Sequence, residues 1–357
     1  MIISRTPFRI SFFGGGTDYP IWYKKYGGSV LCTTIDKYCY ITCRALPPFF
    51  EHKFRVVYSK VELCQKFEEV QHPAVRETIR FLKINRGMEI HHDGDLPARS
   101  GMGSSSSFTV GLLHSLYAWT GKIVSKMQLA QESIHIEQNM IRETVGSQDQ
   151  VAAAFGGLNK IVFHPSGEID VQNLTLSKAR QDELRSYLML FYTGIKRTAS
   201  DVADSYVRSL IKQKKMLLQM KEMVDEGVSI LNSNTCISRF GELLHQAWGL
   251  KRGLSKQVSN NKINRLYERA RQSGAIGGKI TGAGGGGFLL LFVPPSQQKN
   301  VREELSELIH VPIKIESEGS RIIFYDSYEE DYSQSFQDRE QREIKSFIEN
   351  HPRKAVK

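Results

Sequence analysis

The 357-residue sequence lacks the features that define several large classes of protein. No apolar run is long enough to cross a bilayer, and residues 1–9 alternate like a strand without the layout of a secretory signal. The five cysteines are scattered, and Cys39 and Cys43 stand four positions apart in an apolar, strand-like stretch. That pattern favours core thiols over zinc ligands. We therefore expect a reducing, cytoplasmic setting and no membrane partner.

Standard nucleotide-binding signatures are missing as well. Residues 282–287 formally match GxGxxG, but a strand-like apolar run at 288–293 follows where a dinucleotide fold needs a helix. Neither Lys122 nor Lys279 is followed by the Ser or Thr that a P-loop requires. Protein-kinase signatures are also absent. These absences exclude the Rossmann, P-loop and protein-kinase interpretations.

The chain has an excess of positive charge, but the charge is dispersed. There are 48 Lys and Arg against 38 Asp and Glu, a net charge of +10. The basic residues within 251–256 and 265–271 are spaced as on a solvated helix face. No nucleic-acid-binding motif accompanies them. Electrostatic focusing of an anionic small molecule explains the excess equally well, so we expect no nucleic-acid partner.

The most informative segment that is present is a serine-rich turn. Residues 96–107 contain two glycines around one apolar residue, then four serines, and a helix-like run follows at 108–119. Glycines allow close approach of the backbone to a ligand, and the first amides of a helix attract anions such as phosphate. The alternative is that the serines only cap the helix. The segment alone does not decide between the two.

Two further glycine segments have the same ambiguity. At 7–20 a strand runs into three glycines and then Thr17-Asp18, where an aspartate is placed to accept hydrogen bonds from polyol hydroxyls. The alternative is a simple turn with a capping aspartate. The third segment, 279–288, is the glycine-rich turn between two strand-like runs.

Strand-like and helix-like segments mix without the regular alternation of a doubly wound sheet, which favours an α+β fold. The predicted strands lie at 2–13, 29–43, 54–61, 88–92, 157–163, 187–192, 288–293, 313–316 and 321–325. The predicted helices lie at 73–86, 104–120, 125–144, 199–231, 236–250, 261–273, 297–309 and 333–357.

The three glycine segments, in this order, resemble the motifs of the GHMP family of small-molecule kinases. The resemblance runs from about residue 7 to 325, with Met102 in place of the usual Leu. It implies a two-domain GHMP kinase fold. Residues 1–180 would form an N-terminal ribosomal-protein-S5-like α/β domain with the nucleotide and catalytic elements. Residues 181–357 would form a C-terminal ferredoxin-like α+β domain on the substrate side.

Within the family, residues 14–19 and 97–107 look most like those of the heptose 7-phosphate kinases. Galactokinases carry Gly-Glu-His where this chain has Gly14-Gly15-Gly16, and the loss of that acidic side chain argues against galactose. The resemblance implies ATP-dependent transfer of a phosphoryl group to the anomeric hydroxyl of a sugar phosphate. ATP and Mg²⁺ are the implied cofactors, and a homodimer is left open.

Roles for single residues also follow from the resemblance. Asp149 matches the catalytic aspartate, Arg9 the basic residue beside it, and Glu137 the magnesium-binding glutamate twelve positions before Asp149. Ser104 and Ser105 match the hydroxyls near the metal. The implied nucleotide-binding residues are Pro97, Arg99, Ser100, Gly101, Met102, Gly103, Ser104, Ser105 and Ser106. The implied substrate-binding residues are Gly15, Gly16, Asp18, Lys196, Arg197, Gly282, Ala283 and Gly284.

Three other functions remain open at this point. The first is a family kinase acting on another sugar, such as fucose. The second is a diphosphomevalonate decarboxylase, which the retained Glu137 and the polyol-suited Asp18 make less attractive. The third is a sensor that binds nucleotide or sugar without turnover, against which the intact set of Arg9, Glu137 and Asp149 speaks.

Overall fold

The structure, a computed structural model, describes residues 1–98, 100–195 and 199–326, together with the isolated positions 332, 335 and 338. Across these ranges, no helix combines the length and the apolar character needed to span a bilayer. The predicted helix at 333–357 and the predicted ligands Arg99, Lys196 and Arg197 lie outside the described residues.

The described chain folds into strands and helices of comparable number. The strands are β1 (Ile2–Phe13), β2 (Gly28–Ala45), β3 (Phe54–Val57), β4 (Val61–Cys64), β5 (Met88–Gly94), β6 (Leu158–Phe163), β7 (Ile169–Asn173), β8 (Leu188–Tyr192), β9 (Gly277–Ile280), β10 (Phe288–Phe292), β11 (Ile309–Val311), β12 (Ile315–Glu316) and β13 (Arg321–Tyr325). The helices are α1 (Pro20–Tyr26), α2 (Pro73–Leu82), α3 (Ser104–Trp119), α4 (Lys126–His135), α5 (Gln148–Phe155), α6 (Lys178–Tyr187), α7 (Ala199–Val207), α8 (Lys214–Asn232), α9 (Ser238–Leu254), α10 (Asn261–Gln272) and α11 (Gln298–Glu304).

The larger sheet has the strand order β13-β1-β2-β5-β3-β4, with β6 and β12 also paired to β2 and with β7 paired to β6. Strand β1 lies in its interior, antiparallel to both β13 and β2. From Thr6 onward every residue of β1 is buried, as expected for a strand covered on both faces. Arg9 is therefore a charged side chain in a buried strand, a placement that needs an ionic partner.

The smaller sheet has the order β11-β8-β10-β9. Its central strand β10 is buried at every position, and helix α9 packs against β9. The two sheets share one apolar core. The ring of Phe240 lies 5.3 Å from that of Phe12, 5.0 Å from that of Phe13 and 5.7 Å from that of Phe292. The site described below lies where the end of β1 meets this second layer.

The mixture of helices and mainly antiparallel sheets confirms the predicted α+β class. One aspect of the predicted second domain is wrong: β12 and β13 pair with β2 and β1 in the first sheet, so residues 315–325 do not fold with the second. Long-range pairing of this kind leaves no local signal in the sequence. A boundary near residue 180 stays a prediction.

Several local predictions also need correction. The helix predicted over 125–144 is shorter in the structure. Helix α4 ends at His135, and a π-helical turn at Ile136–Ile141 follows it. The strand predicted over 54–61 is the β3–β4 hairpin, and the helix predicted over 199–231 is broken before α8. Helix α6 lies between the predicted strands at 157–163 and 187–192, where no helix is predicted. Helix α5, which carries Asp149, is absent from the sequence prediction.

Candidate active site

Arg9 and Asp149 form a two-point ion pair. The Nε of Arg9 donates to Oδ1 of Asp149 at 2.6 Å, and Nη2 donates to Oδ2 at 2.5 Å. Planar guanidinium and carboxylate groups fit each other in this geometry. Burial alone would lower the pKa of Arg9. The charge and hydrogen bonds of Asp149 outweigh this effect, so the pKa of Arg9 lies above its ordinary value. The Asp149 side chain keeps 24% of its surface exposed, so its carboxylate is both fixed and accessible.

The serine-rich turn packs directly on this pair. The third donor of Arg9, Nη1, reaches the carbonyl oxygen of Gly101 at 2.8 Å. A Cβ built on Gly103 would lie 3.2 Å from Cγ of Arg9 and 3.4 Å from Oδ2 of Asp149. Gly101 and Gly103 both have positive φ, 82° and 75°, which only glycine adopts readily. The turn therefore requires glycine at both positions to stand this close to the carboxylate.

Helix α3 begins at Ser104 immediately beside Asp149. Its N-cap residue is Gly103, not one of the four serines, and a glycine has no side chain that could cap the helix. The structure thus differs from the alternative in which the serines serve only as caps. Because the first amides of a helix have no partners within the helix, this N-terminus presents N–H donors and a partial positive charge to the cavity.

Glu137 lies behind the same turn, in the π-helical turn after α4, and is fully buried. Its Oε2 accepts hydrogen bonds from Oγ of Ser106 at 2.9 Å and from Nε2 of Gln150 at 2.5 Å. Its Oε1 has no hydrogen-bond partner. Burial raises the pKa of Glu137 to about 7. A buried carboxylate with an unused oxygen beside a hydroxyl is a donor set suited to a hard cation such as Mg²⁺.

The structure refines the choice among the serines. Ser104 and Ser105, the predicted metal ligands, both line the cavity, but the hydroxyl that contacts Glu137 belongs to Ser106. Successive positions of α3 point in different directions, so Ser106 reaches Glu137 whereas the hydroxyl of Ser107 donates to the carbonyl oxygen of Pro7. In the described part of the chain, no three His, Cys, Asp or Glu side chains cluster as in an all-protein metal cage.

Asp18 links the glycine turn of residues 14–16 to the start of α5. Its Oδ1 accepts from the backbone N–H of Gly16 at 2.9 Å, and its Oδ2 accepts from Nε2 of Gln148 at 2.9 Å. The side chain is almost completely buried, and burial raises its pKa. A Cβ added to Gly146 would lie 1.9 Å from Oδ2 of Asp18, so a larger residue there would displace this carboxylate. Carboxylate oxygens accept more than one hydrogen bond, so Asp18 keeps capacity toward a ligand.

The third glycine segment closes on the serine-rich turn. A Cβ on Gly282 would stand 2.6 Å from the carbonyl oxygen of Gly101, so the two backbones touch. Gly282 and Ala283 line the cavity, whereas Gly284 packs away from it, against Val258. The Nζ of Lys279, just before this segment, donates to the carbonyl oxygens of Ser11 and Phe12 on β1. The three segments that the sequence singled out therefore meet at one place.

A cavity of about 230 Å³ opens where they meet. The predicted residues that line it are Arg9, Gly15, Gly16, Asp18, Gly101, Gly103, Ser104, Ser105, Ser106, Asp149, Gly282 and Ala283. Those that do not line it are Pro97, Ser100, Met102, Glu137 and Gly284. Met102 is buried and supports the turn, since its carbonyl oxygen accepts from the backbone N–H of Arg9 at 3.1 Å. Pro97 is exposed, and Ser100 is buried with its carbonyl against Gly287.

Sequence reasoning missed part of the lining. Tyr19 and Gln148 adjoin the predicted residues Asp18 and Asp149, so their position next to the motifs was an available signal. Ser11 lies within the glycine segment at 7–20 and shared this signal. The others come from segments without a motif and had no such signal: Glu143, Thr144, Val145, Gly146, Ala203, Tyr206 and Lys251.

Comparison with known proteins identifies the family of this chain. The family model described as GHMP kinases N terminal domain matches residues 66–157, and the one described as GHMP kinases C terminal matches residues 231–310. The chain belongs to the GHMP kinase family, and it is a sugar kinase, a phosphotransferase with an alcohol group as acceptor.

Particular relatives narrow the comparison. The chain is 27% identical over 318 residues to the D-glycero-alpha-D-manno-heptose 7-phosphate kinase of Campylobacter jejuni, covering 85% of this chain and 93% of that protein. A putative sugar kinase from Campylobacter jejuni has a TM-score of 0.68 at 26% identity, covering 90% and 97% of the two chains. A D-glycero-D-manno-heptose 1-phosphate kinase from Bacteriodes thetaiotaomicron has a TM-score of 0.69 at 23% identity, covering 92% and 100%, and shows the shared fold.

Proposed function

We propose that the protein transfers the terminal phosphoryl group of ATP to the C1 hydroxyl of D-glycero-D-manno-heptose 7-phosphate. The product would be the 1,7-bisphosphate, an intermediate of nucleotide-activated heptose biosynthesis in the cytoplasm. The observation that carries the kinase chemistry is the Asp149 carboxylate, fixed by Arg9 and packed against Gly103 of the serine-rich turn. The choice of heptose 7-phosphate is supported by the similarity to the Campylobacter jejuni kinase.

The geometry suggests how the transfer proceeds. The amides at the start of α3 and the backbone of residues 101–103 would hold the phosphates of ATP. Asp149 would orient the acceptor hydroxyl and take its proton, and an anomeric hydroxyl is more acidic than an ordinary alcohol, which favours a carboxylate base. Arg9 would keep Asp149 in place and balance the negative charge on the phosphoryl group during its transfer. Asp18 would accept hydrogen bonds from sugar hydroxyls.

The residues present fit the implied Mg²⁺. Glu137 has a buried Oε1 without a partner, and Ser106, whose hydroxyl contacts Glu137, is a residue of the cavity lining. Glu137 and a serine of the turn, with Ser104 and Ser105 as further candidates, would hold the ion through few protein oxygens. When bound, the ion neutralises phosphate charge and aligns the phosphates. Above pH 7 Glu137 is available as an anion for this task.

The division of labour between the halves is part of the proposal. Residues up to about 180 supply the elements proposed for nucleotide and catalysis, namely β1, α3 and α5. The later part supplies the glycine segment at 281–287 and the residues of α7 and α9 that line the cavity on the substrate side.

A substrate panel tests the proposal. Purified protein with ATP and Mg²⁺ is assayed for ADP release against heptose 7-phosphate, unphosphorylated heptose, fucose and galactose, and phosphorus NMR locates the new ester. Turnover with heptose 7-phosphate and a C1 phosphate in the product supports the proposal. Turnover with fucose instead would identify the alternative sugar kinase. Nucleotide binding without ADP release on any sugar would indicate a sensor.

A further inference from the structure

Lys251 is a buried cation in the wall of the cavity. It lies on α9, its residue is 6% exposed, and its Nζ donates a hydrogen bond to the carbonyl oxygen of Gly282. The sequence pattern of residues 251–256 predicts a solvated helix face, and for Lys251 that prediction is wrong. Lysine is almost never buried to this degree, so its placement in the wall of a cavity points to a role there.

Lys251 and Arg9 stand on either side of the junction between two glycine segments. Gly282 touches the backbone of Gly101, Arg9 donates to the Gly101 carbonyl, and Lys251 donates to the Gly282 carbonyl. Among the described residues, these two are the cations that line the cavity. Two of the Arg9 donors are committed to Asp149. Lys251 therefore brings a second positive charge to this junction from the other half of the chain.

The wall around Lys251 offers further hydrogen-bond donors. Tyr19 and Tyr206 line the same cavity, and their hydroxyl oxygens lie 3.4 Å apart. Burial keeps the pKa of Tyr19 well above its ordinary value, so its hydroxyl stays protonated. An ammonium group and two phenolic side chains in the lining of one cavity are hydrogen-bond donors suited to phosphate oxygens.

We propose that Lys251 binds a phosphate group of a ligand in this cavity and is a determinant of its affinity. The inference rests on the proposed function, which brings two phosphates into the cavity. One is the phosphate that the sugar already carries, and the other is the group transferred from ATP. Both present the same chemistry to Lys251, and the kinetic experiment separates them.

The test uses Lys251→Gln, which keeps a donor for the Gly282 carbonyl but removes the charge. Lys251→Arg keeps the charge, and Lys256→Gln is the matched control, because Lys256 is exposed on the segment that follows the same helix. We expect Lys251→Gln to raise the KM for the ligand whose phosphate Lys251 binds. The increase should be roughly 10- to 100-fold, the loss expected for one charged hydrogen bond. Lys251→Arg should recover part of the loss, and Lys256→Gln should match the wild type.

The kinetic arms identify the phosphate. A rise in KM for heptose 7-phosphate, with KM for ATP and the rate on unphosphorylated heptose unchanged, assigns Lys251 to the phosphate of the sugar. A rise in KM for ATP or an equal fall in kcat on both sugars assigns it to the transferred group. Unchanged parameters in Lys251→Gln overturn the inference, as does an equal loss in Lys251→Arg and Lys251→Gln.

A binding measurement keeps the inference testable apart from the activity. Pyrophosphate should raise the melting temperature of the wild type and of Lys256→Gln but not that of Lys251→Gln. If the wild type releases no ADP with any sugar, the proposed function fails while this measurement still decides the role of Lys251. An equal pyrophosphate shift in all three proteins overturns the inference.

Discussion

The guanidinium of Arg9 and the carboxylate of Asp149, 140 positions apart in the chain, hold each other in a bidentate ion pair. Arg9 is anchored in the buried strand β1, whereas Asp149 stands in the first turn of the short helix α5. Asp149 supplies the anion that the buried guanidinium of Arg9 needs, and Arg9 fixes the direction of the Asp149 carboxylate. The pair therefore joins the stability of the fold to the orientation of the proposed base.

Replacing the proposed base should separate chemistry from binding. In Asp149→Asn the amide oxygen can still accept a hydrogen bond from Arg9, but the group no longer accepts a proton. We expect kcat to fall by roughly 10²- to 10⁴-fold, as is typical for loss of a general base. The KM for ATP should change little, and steady-state ADP release measures both parameters.

The control for Asp149→Asn is Asp170→Asn, on the exposed part of β7, which should leave kcat unchanged. Asp149→Asn should also lower the free energy of unfolding, because it leaves the buried guanidinium of Arg9 without its anion. A folded Asp149→Asn protein with wild-type kcat would contradict the role of this residue.

The contact between the two glycine segments should be intolerant of a single methyl group. Gly282 has a φ of 65°, and a Cβ there would meet the Gly101 carbonyl oxygen at 2.6 Å. Gly121 has a φ of 70° with nothing within 4 Å of its added Cβ. Gly121→Ala should therefore cost only the backbone strain, about 1 kcal/mol. Gly282→Ala should cost the same strain and also push the serine-rich turn away from Asp149.

We expect Gly282→Ala to lose at least tenfold in kcat/KM, because a misplaced turn misaligns the phosphates. Gly121→Ala should keep full activity with a small decrease in melting temperature. Equal activities in the two variants would show that the Gly282–Gly101 contact does not position the turn.

Glu137 should make the metal-free protein less stable as pH rises. Burial raises its pKa from 4.5 to about 7, so between these values the folded protein holds a proton that the unfolded chain releases. The free energy of unfolding therefore falls as pH increases through this window, by roughly 3 kcal/mol for a shift of this size. Glu137→Gln should lack this component. Urea unfolding at pH 5 and pH 8 in the presence of a chelator measures it, and parallel pH profiles for the two proteins would refute the prediction.

Much of the site was predictable because its residues lie in or next to glycine-rich segments with strong local constraints. Gly101, Gly103 and Gly282 have backbone conformations that glycine favours, and such positions leave a trace in the sequence. The strand β1 and the helix α3 have long apolar patterns that local reasoning recognises.

What could not be predicted depends on contacts between distant segments. Helix α5, which contains Asp149, has only eight residues. These are too few to show a clear helical period, so the sequence does not predict this helix. In the sequence, Lys251 is one charge in a run that is typical of a solvated helix face. Its burial depends on the packing of α9 against β9, which leaves no local signal. The return of β12 and β13 to the first sheet is decided by pairing across almost the whole chain.

Lys279 should impose the opposite pH dependence from Glu137. It is buried, and burial together with the charge of Arg9 lowers its pKa from 10.5 to about 7, although Asp18 partly opposes the shift. Between these values the unfolded chain binds the proton and the folded protein does not. The free energy of unfolding therefore rises as pH increases from about 7 toward 10.

Comparison of the wild type with Lys279→Met isolates this effect, because all other groups titrate alike in both proteins. We expect the variant to be destabilised overall, since the carbonyls of Ser11 and Phe12 lose their donor. The difference in unfolding free energy, wild type minus variant, should also grow by roughly 3 kcal/mol between pH 7 and pH 9.5. Lys256→Met, at an exposed position, should show a constant difference over the same range. A constant difference for Lys279→Met as well would mean that Lys279 keeps its ordinary pKa in the folded protein. Its ammonium would then carry a full positive charge next to Arg9 throughout the physiological range.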